Sequence, residues 1–313
     1  MQFKRHWAVA ASVLLAAAVA QAGTVKVDED ADFKPTGKGW GELVDSPGAN
    51  GHAKGAARPG GGGGSNGINY NGGPVMTNVN GTNIYYIWYG NWSGNTAPTI
   101  LTDLANGFTG SPYFNINTTY YDKAGTKVTN RINYLGSTND AYSQGTALSD
   151  AAIQAVVSKA ITSGVLPKDT NAVYFVLTSA DVNATSGFCT QYCGWHTHGT
   201  IGGSDIKYSF VGNPDRCPSS CAAQTIGPNG NAGADGMASI ISHELEEAVT
   251  DPDLNAWYDR RGAENADKCA WTFGTESTAS NGAKYNMALG GRNFLIQQNW
   301  VNASGGFCAK SYP

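Results

Sequence analysis

The chain has 313 residues, of which only 14% are charged, and its formal net charge is −4 at pH 7. This weakly acidic balance excludes the basic surface that binds phosphate backbones, so nucleic acid is not an expected partner. All six cysteines lie in the second half of the chain, and an even number is typical of disulfides in an exported protein.

The first predicted element is a signal peptide over residues 1–22. Lys4 and Arg5 precede an apolar run from Trp7 to Ala20, which is too short to span a membrane as a helix. Ala20-Gln21-Ala22 fits the small-x-small cleavage site of signal peptidase. We therefore expect a secreted or periplasmic protein that has no membrane insertion after the signal is cleaved.

Two segments of different amino-acid composition follow the signal peptide. Residues 23–67 are rich in glycine and proline and show almost no apolar periodicity, which predicts a tail or linker. Residues 68–313 are long enough to bury a substantial core, and we expect them to form a single domain.

The domain begins with strand-like runs and one amphipathic helix. Runs rich in β-branched and aromatic residues predict strands at 82–92, 113–122, 126–135 and 172–179. We expect a hairpin turn at 123–125, and a helix over 149–164 with Ser149 as its N-cap. Strands and helices mix without a strict βαβ repeat, so the predicted fold class is α+β with a twisted mixed sheet.

The next predicted helix carries the candidate chemistry. It lies in "ADGMASIISHELEEAVTDPD", where Asp235 is placed to cap it and Pro252 to end it. Residues four apart share one helix face, so His243 and Glu247 can both bind one metal ion. Glu244 is then placed to contact a metal-bound water. The alternative is a solvated helix edge with a hydrogen-bonded core histidine, because short motifs give false positives.

This spacing is similar to the His-Glu-x-x-His motif of metallopeptidases, with a carboxylate in place of the second imidazole. It predicts a zincin-like arrangement in which the active-site helix packs on the sheet. A third ligand is needed, and the order of preference is His196, then Asp267, then His198. A site made only of His243, Glu247 and Asp267 would admit calcium or manganese, whereas an added imidazole favours zinc.

The cysteines are expected to form disulfide bonds that crosslink loops of the domain. Sequence alone leaves the pairing open, and we expect Cys189 with Cys193, Cys217 with Cys221, and Cys269 with Cys308, with exchange among the first four as the alternative. No Gly-x-Ser-x-Gly elbow lies within residues 68–313, and the cysteines are expected to be oxidised, so a serine or cysteine nucleophile is not expected.

The chain resembles the phosphate-induced protein 1, or EXORDIUM-like, family of extracellular proteins. The resemblance is carried by these segments: "YNGGPVMT", "IYYIWYGNW", "FCTQYCGWH", "NPDRCPSSCA", "GADGMASIISHELEEAVTDPDLNAWY", "ADKC" and "FLIQQNW". It implies a secreted protein associated with the cell wall or apoplast in growth responses. It also implies that His196, His243, Glu244, Glu247 and Asp267 match positions that the family keeps.

Two functions are compatible with these residues. The first is a secreted metal-dependent hydrolase, a zinc peptidase acting on a peptide or cell-wall-associated substrate, with Glu244 as the general base. The alternative is a non-catalytic extracellular, cell-wall or carbohydrate-binding module with a structural or vestigial metal site. Eight Trp and fifteen Tyr suit stacking on sugar rings, although such residues are more often part of a core.

Overall fold

The computed structural model describes residues 35, 36, 38 and 67–313. The signal peptide predicted at 1–22 and most of the tail predicted at 23–67 lie outside these residues. Within the described part of the chain, no helix is long and apolar enough to cross a membrane.

The described chain forms a central sheet surrounded by helices and short strands. The strands are β1 (Asn69–Tyr70), β2 (Thr82–Tyr89), β3 (Ile132–Asp140), β4 (Ala147–Leu148), β5 (Ala172–Thr178), β6 (Asn183–Ala184), β7 (Gly194–Ile201), β8 (Ser204–Val211), β9 (Trp257–Tyr258), β10 (Ser277–Thr278), β11 (Lys284–Tyr285), β12 (Met287–Leu289), β13 (Arg292–Phe294), β14 (Asn299–Val301) and β15 (Phe307–Ala309). The α-helices are α1 (Ala97–Gly107), α2 (Asp150–Thr162), α3 (Pro218–Cys221) and α4 (Ala232–Thr250). Short 3-10 helices cover Phe114–Thr119, Pro214–Arg216 and Asp267–Cys269.

The central sheet has five strands in the order β3-β2-β5-β8-β7. The first four run parallel, and β7 pairs antiparallel with β8. Every residue of the middle strand β5 is buried, as its nearly continuous apolar sequence predicts. The α+β class with a mixed sheet is therefore confirmed.

Helix α2 follows the sequence prediction closely. The Ser149 hydroxyl accepts a hydrogen bond from the Ala152 amide, which satisfies one of the free N–H groups at the helix start. The apolar stripe of the helix is buried. Gly164, just beyond the helix, has a φ of +73°, the left-handed conformation that glycine adopts at low cost.

One residue of the predicted tail makes defined contacts with the domain. The Lys38 ammonium lies 2.6 Å from the Asp150 carboxylate at the start of α2. It also lies over the rings of Tyr192 and Trp195, 5.3 and 5.8 Å from their centroids. A helix N-terminus carries a partial positive charge and does not attract a cation. The Asp150 carboxylate and the two aromatic rings therefore hold the lysine in place.

The strand predicted at 113–122 is wrong, because the structure has a 3-10 helix at Phe114–Thr119. The side chains of Asn117, Thr118 and Thr119 donate to backbone carbonyls three residues earlier. Such local bonds compete with a strand ladder. The predicted hairpin is reduced to a single bridge between Tyr121 and Lys127, and the strand expected at 126–135 begins only at Ile132.

The disulfides pair in a crossed pattern. Cys189 bonds Cys217 and Cys193 bonds Cys221, so the expected pairing within each Cys-x-x-x-Cys segment is wrong. Residues 217 and 221 are four apart along helix α3 and its cap, where side chains point in parallel rather than toward each other. The third expected bridge, Cys269 to Cys308, is confirmed.

Helix α4 is the core helix of the domain. It packs against β5, β7, β8 and α1, and all its residues except Ala232 and Gly236 are buried. Its N-cap is Asn231, which accepts from the Ala234 amide. The expected cap, Asp235, lies inside the first turn and accepts from the Asn229 amide instead.

Strand β7 and helix α4 approach closely at Gly194. A Cβ at this position would lie 2.6 Å from Ile240 Cγ2 and 3.0 Å from Glu244 Oε1. Only a residue without a side chain therefore allows this contact. It sets the helix carboxylates against the strand that carries His196.

Candidate functional site

The structure brings the predicted site residues together inside the domain. Helix α4 supplies His243, Glu244 and Glu247. Strand β7 supplies His196, and the 3-10 helix at Asp267–Cys269 supplies Asp267. Each of the five is at most 3% exposed. The alternative of a solvated helix edge is therefore wrong, because a solvated edge would leave these glutamates in water.

A first triad consists of His243, Glu247 and Asp267. The His243 Nε2 atom lies 3.1 Å from Glu247 Oε1 and 3.5 Å from Asp267 Oδ1. One ligand atom from each residue lies within 4.8 Å of the other two, which is close enough for one metal ion. The pair on the helix meets because residues four apart share a face.

A second triad shares Glu247 with the first and adds His196 and Glu264. The His196 Nε2 atom lies 3.2 Å from Glu264 Oε2 and 3.8 Å from Glu247 Oε2. Sequence reasoning missed Glu264. It stands three residues before Asp267, and this spacing is a signal that could have identified it.

Three buried atoms of these triads have no hydrogen bond within the protein. His243 Nε2, Glu247 Oε2 and Asp267 Oδ1 are buried without a partner of suitable geometry. Buried polar atoms are normally satisfied, so each unsatisfied one calls for an explanation such as an ion. The residues present therefore fit a cation that accepts nitrogen and oxygen ligands.

The loop that carries Asp267 is fixed on both sides. The Asp267 backbone N–H donates to Glu247 Oε1 over 3.0 Å, and Asp267 Oδ2 accepts from the Glu264 backbone N–H over 3.1 Å. The disulfide from Cys269 to Cys308 starts two residues later. These bonds fix the Asp267 carboxylate with its other oxygen, Oδ1, near His243. Hydrogen bonds around a metal site commonly orient its ligands in this way.

The two histidines have opposite electrostatic environments. Burial lowers the pKa of His196 to about 4, so its ring is neutral at pH 7 and can offer a lone pair. Burial alone would also lower the pKa of His243, but the charges of Glu247, Asp267 and Glu244 raise it well above its usual value. Metal binding at His243 would therefore release a proton.

Three carboxyl groups in or beside the triads have raised pKa values. Burial is the main cause for Glu246, Glu264 and Asp251, and the charge of Glu247 contributes for the last two. Glu246 accepts a hydrogen bond from the side-chain amide of Asn299. Asp251 accepts from the amides of Asn255 and Ala256. Glu246 and Asp251 thus have protein donors and belong to neither triad.

His198, the third choice for a ligand, lies outside both buried triads. It forms a more exposed group with Asp205 and Asp253. Its Nδ1 makes a 2.8 Å hydrogen bond to Asp205 Oδ1, and Lys207 Nζ lies 2.7 Å from Asp253 Oδ1. A hydrogen bond from His198 and ion pairs with the Lys207 ammonium already hold the carboxylates of this group.

Comparison with known proteins agrees with the resemblance in the sequence. The family model described as "Phosphate-induced protein 1 conserved region" matches residues 68–310. Protein EXORDIUM-like 3 of Arabidopsis thaliana is 33% identical over 273 residues, which cover 74% of this chain and 80% of the relative. Protein EXORDIUM-like 5 of the same plant is 32% identical over 274 residues, with 74% and 75% covered.

A tobacco relative extends the same match. Protein PHOSPHATE-INDUCED 1 of Nicotiana tabacum is 28% identical over 213 residues, which cover 56% of this chain and 64% of the relative. No solved structure matches the chain. The three disulfides are consistent with an extracellular protein. The chain belongs to the phosphate-induced protein 1, or EXORDIUM-like, family.

Proposed function

We propose that this chain is an exported, non-catalytic extracellular or cell-wall module whose fold is stabilised by a buried divalent cation, with zinc as the first candidate. His243, Glu247 and Asp267 would hold the ion. The observation that carries the proposal is the convergence of His243 Nε2 and Asp267 Oδ1, two buried atoms without hydrogen bonds, beside Glu247.

Burial favours a structural ion over a catalytic one. Structural zinc sites are closed by four protein ligands, whereas catalytic sites combine three protein ligands with one position open to water and substrate. The three ligands here match the second count, and it is their burial that favours a structural ion. The three ligands are at most 3% exposed, so a polypeptide has no direct contact with them. The unbound carboxylates repel one another in the core, and an ion removes that cost.

The donor set fits zinc and also admits manganese or calcium. One imidazole nitrogen and carboxylate oxygens are ordinary zinc ligands. Carboxylate-rich sites suit harder cations as well, so the identity of the metal is part of the test. Sugar stacking receives less support, because tryptophans 88, 92, 195, 257 and 271 are all buried.

We expect the purified chain to contain zinc, and a chelator to lower its melting temperature. Zinc at 100 times its dissociation constant would contribute about 2.7 kcal/mol, which for a domain of this size is about 5–10 °C. Elemental analysis and calorimetry with and without chelator measure both effects. An Asp205→Asn variant, altered in the exposed group of His198, should behave as the parent does. A chain that takes up no divalent metal and melts unchanged with chelator contradicts the proposal.

A second candidate is a metal-dependent hydrolase of zincin-like architecture, acting as a peptidase. The specific observation in its favour is Glu244, a buried carboxylate whose charge acts on His243 and Glu264. A bound metal would supply an acidic water and stabilise developing negative charge. Glu244 would take the proton from that water. Substrate entry would require the loop around Asp267 to move.

A Glu244→Gln variant separates the two candidates. If the chain is a hydrolase, the variant should keep its metal and its melting temperature but lose at least about 100-fold in activity on a peptide library. The non-catalytic proposal expects no cleavage by either protein at matched metal content. Cleavage by the parent that the variant lacks would overturn the non-catalytic proposal in favour of the hydrolase.

A further inference from the structure

The two oxygens of the Glu247 carboxylate face different histidines. Oε1 lies 3.1 Å from His243 Nε2, and Oε2 lies 3.8 Å from His196 Nε2. Oε2 is buried and has no hydrogen-bond partner. A carboxylate placed between two imidazoles in this way can bind two ions, one through each oxygen.

The distances between histidine nitrogens and carboxylate oxygens within the two triads, 3.1–3.8 Å, bracket the separation of two ligands of one ion. Two atoms bound about 2.1 Å from a tetrahedral zinc lie about 3.4 Å apart. His243 Nε2 lies 3.5 Å from Asp267 Oδ1 and 3.1 Å from Glu247 Oε1. His196 Nε2 lies 3.8 Å from Glu247 Oε2 and 3.2 Å from Glu264 Oε2, and in the absence of an ion this last contact is a hydrogen bond.

Formal charge also favours two ions over one. Glu244, Glu247, Glu264 and Asp267 are buried together. When all four are ionised, as metal binding requires of its ligands, one divalent cation would balance half of their charge and two would balance all of it. Burying uncompensated charge is costly, so the second cation would remove a penalty that the first leaves in place.

We propose that the site holds two divalent cations bridged by Glu247. The first would bind His243, Asp267 and Glu247 Oε1, and the second would bind His196, Glu264 and Glu247 Oε2. This inference rests on the proposed metal site and extends it by one ion. Metal ions in two-metal sites lie about 3.5–4 Å apart, a spacing that one bridging carboxylate spans.

Metal counting on the full exported chain tests the second ion. The chain is stripped with chelator, equilibrated with zinc or manganese, passed through a desalting column and analysed for bound metal. We expect two ions per parent chain and one per Glu264→Gln chain, because the amide removes a charged ligand from the second position only. The matched control is Asp205→Asn in the exposed group, which should keep two ions.

The manganese-loaded parent tests the bridge itself. Two manganese ions joined by one carboxylate should give an exchange-coupled electron paramagnetic resonance spectrum, and Glu264→Gln should give the spectrum of isolated manganese. If Glu264→Gln fails to fold, the count and spectrum of the parent still decide. Two uncoupled ions, or a single ion, would overturn the inference while leaving the proposed single metal site intact. No bound ion would overturn both.

Discussion

Replacing Glu247 with glutamine should reduce the affinity of the chain for zinc more than any other single change in helix α4. Glu247 is the residue that the two triads share. Glutamine keeps the size of the side chain but removes the charge and one oxygen ligand. Loss of a supporting group alone commonly costs 10–100-fold in metal affinity, so for this ligand we expect about 100-fold or more.

The matched control for this variant is Glu246→Gln. Glu246 is the neighbouring residue, is equally buried and belongs to neither triad. Its side chain accepts from Asn299, and its backbone carbonyl accepts from the Asn265 amide over 3.1 Å. Competition with a fluorescent zinc chelator measures both affinities. Equal affinities for the two variants would show that Glu247 is not a ligand.

Asp251→Asn should flatten the pH dependence of stability in the metal-free chain. Burial raises the pKa of Asp251 from its usual 3.8 to about 7. Between these values the folded chain holds a proton that the unfolded chain has lost, so stability falls as pH rises from about 4 to 7. The difference corresponds to about 4 kcal/mol, and the asparagine variant, which has no proton to lose, would not show this decrease.

Guanidinium unfolding at several pH values measures the effect. The asparagine oxygen can still accept from the amides of Asn255 and Ala256, which lie 2.6 Å from Asp251 Oδ1. Parent and variant should be similarly stable near pH 4, and the variant should be more stable at pH 8. Parallel curves for the two proteins across this range would refute the assignment.

The sequence predicted those elements in which apolar residues recur at the spacing of a helix or a buried strand. Strand β5 is apolar throughout, and helix α2 has a cap and a buried stripe. The segment at 114–119 has strand-like residues, yet its threonine and asparagine side chains bond their own backbone and form a 3-10 helix. A propensity argument does not count those local bonds.

The site was predictable to the extent that it lies on one helix. The spacing of His243 and Glu247 places both on one face, and the structure keeps them 3.1 Å apart. Glu264 reaches the site through a loop, and its distance from His196 depends on tertiary folding. The crossed disulfides also join distant segments. No local period encodes such contacts.

The burial of helix α4 has a kinetic consequence for any cation held there. An ion enclosed by the core can leave only when the surrounding chain opens, so its exchange should be as slow as that opening. Loading is then easiest while the newly made polypeptide is still folding. The supply of metal at that moment, rather than later, would set the occupancy of the folded protein.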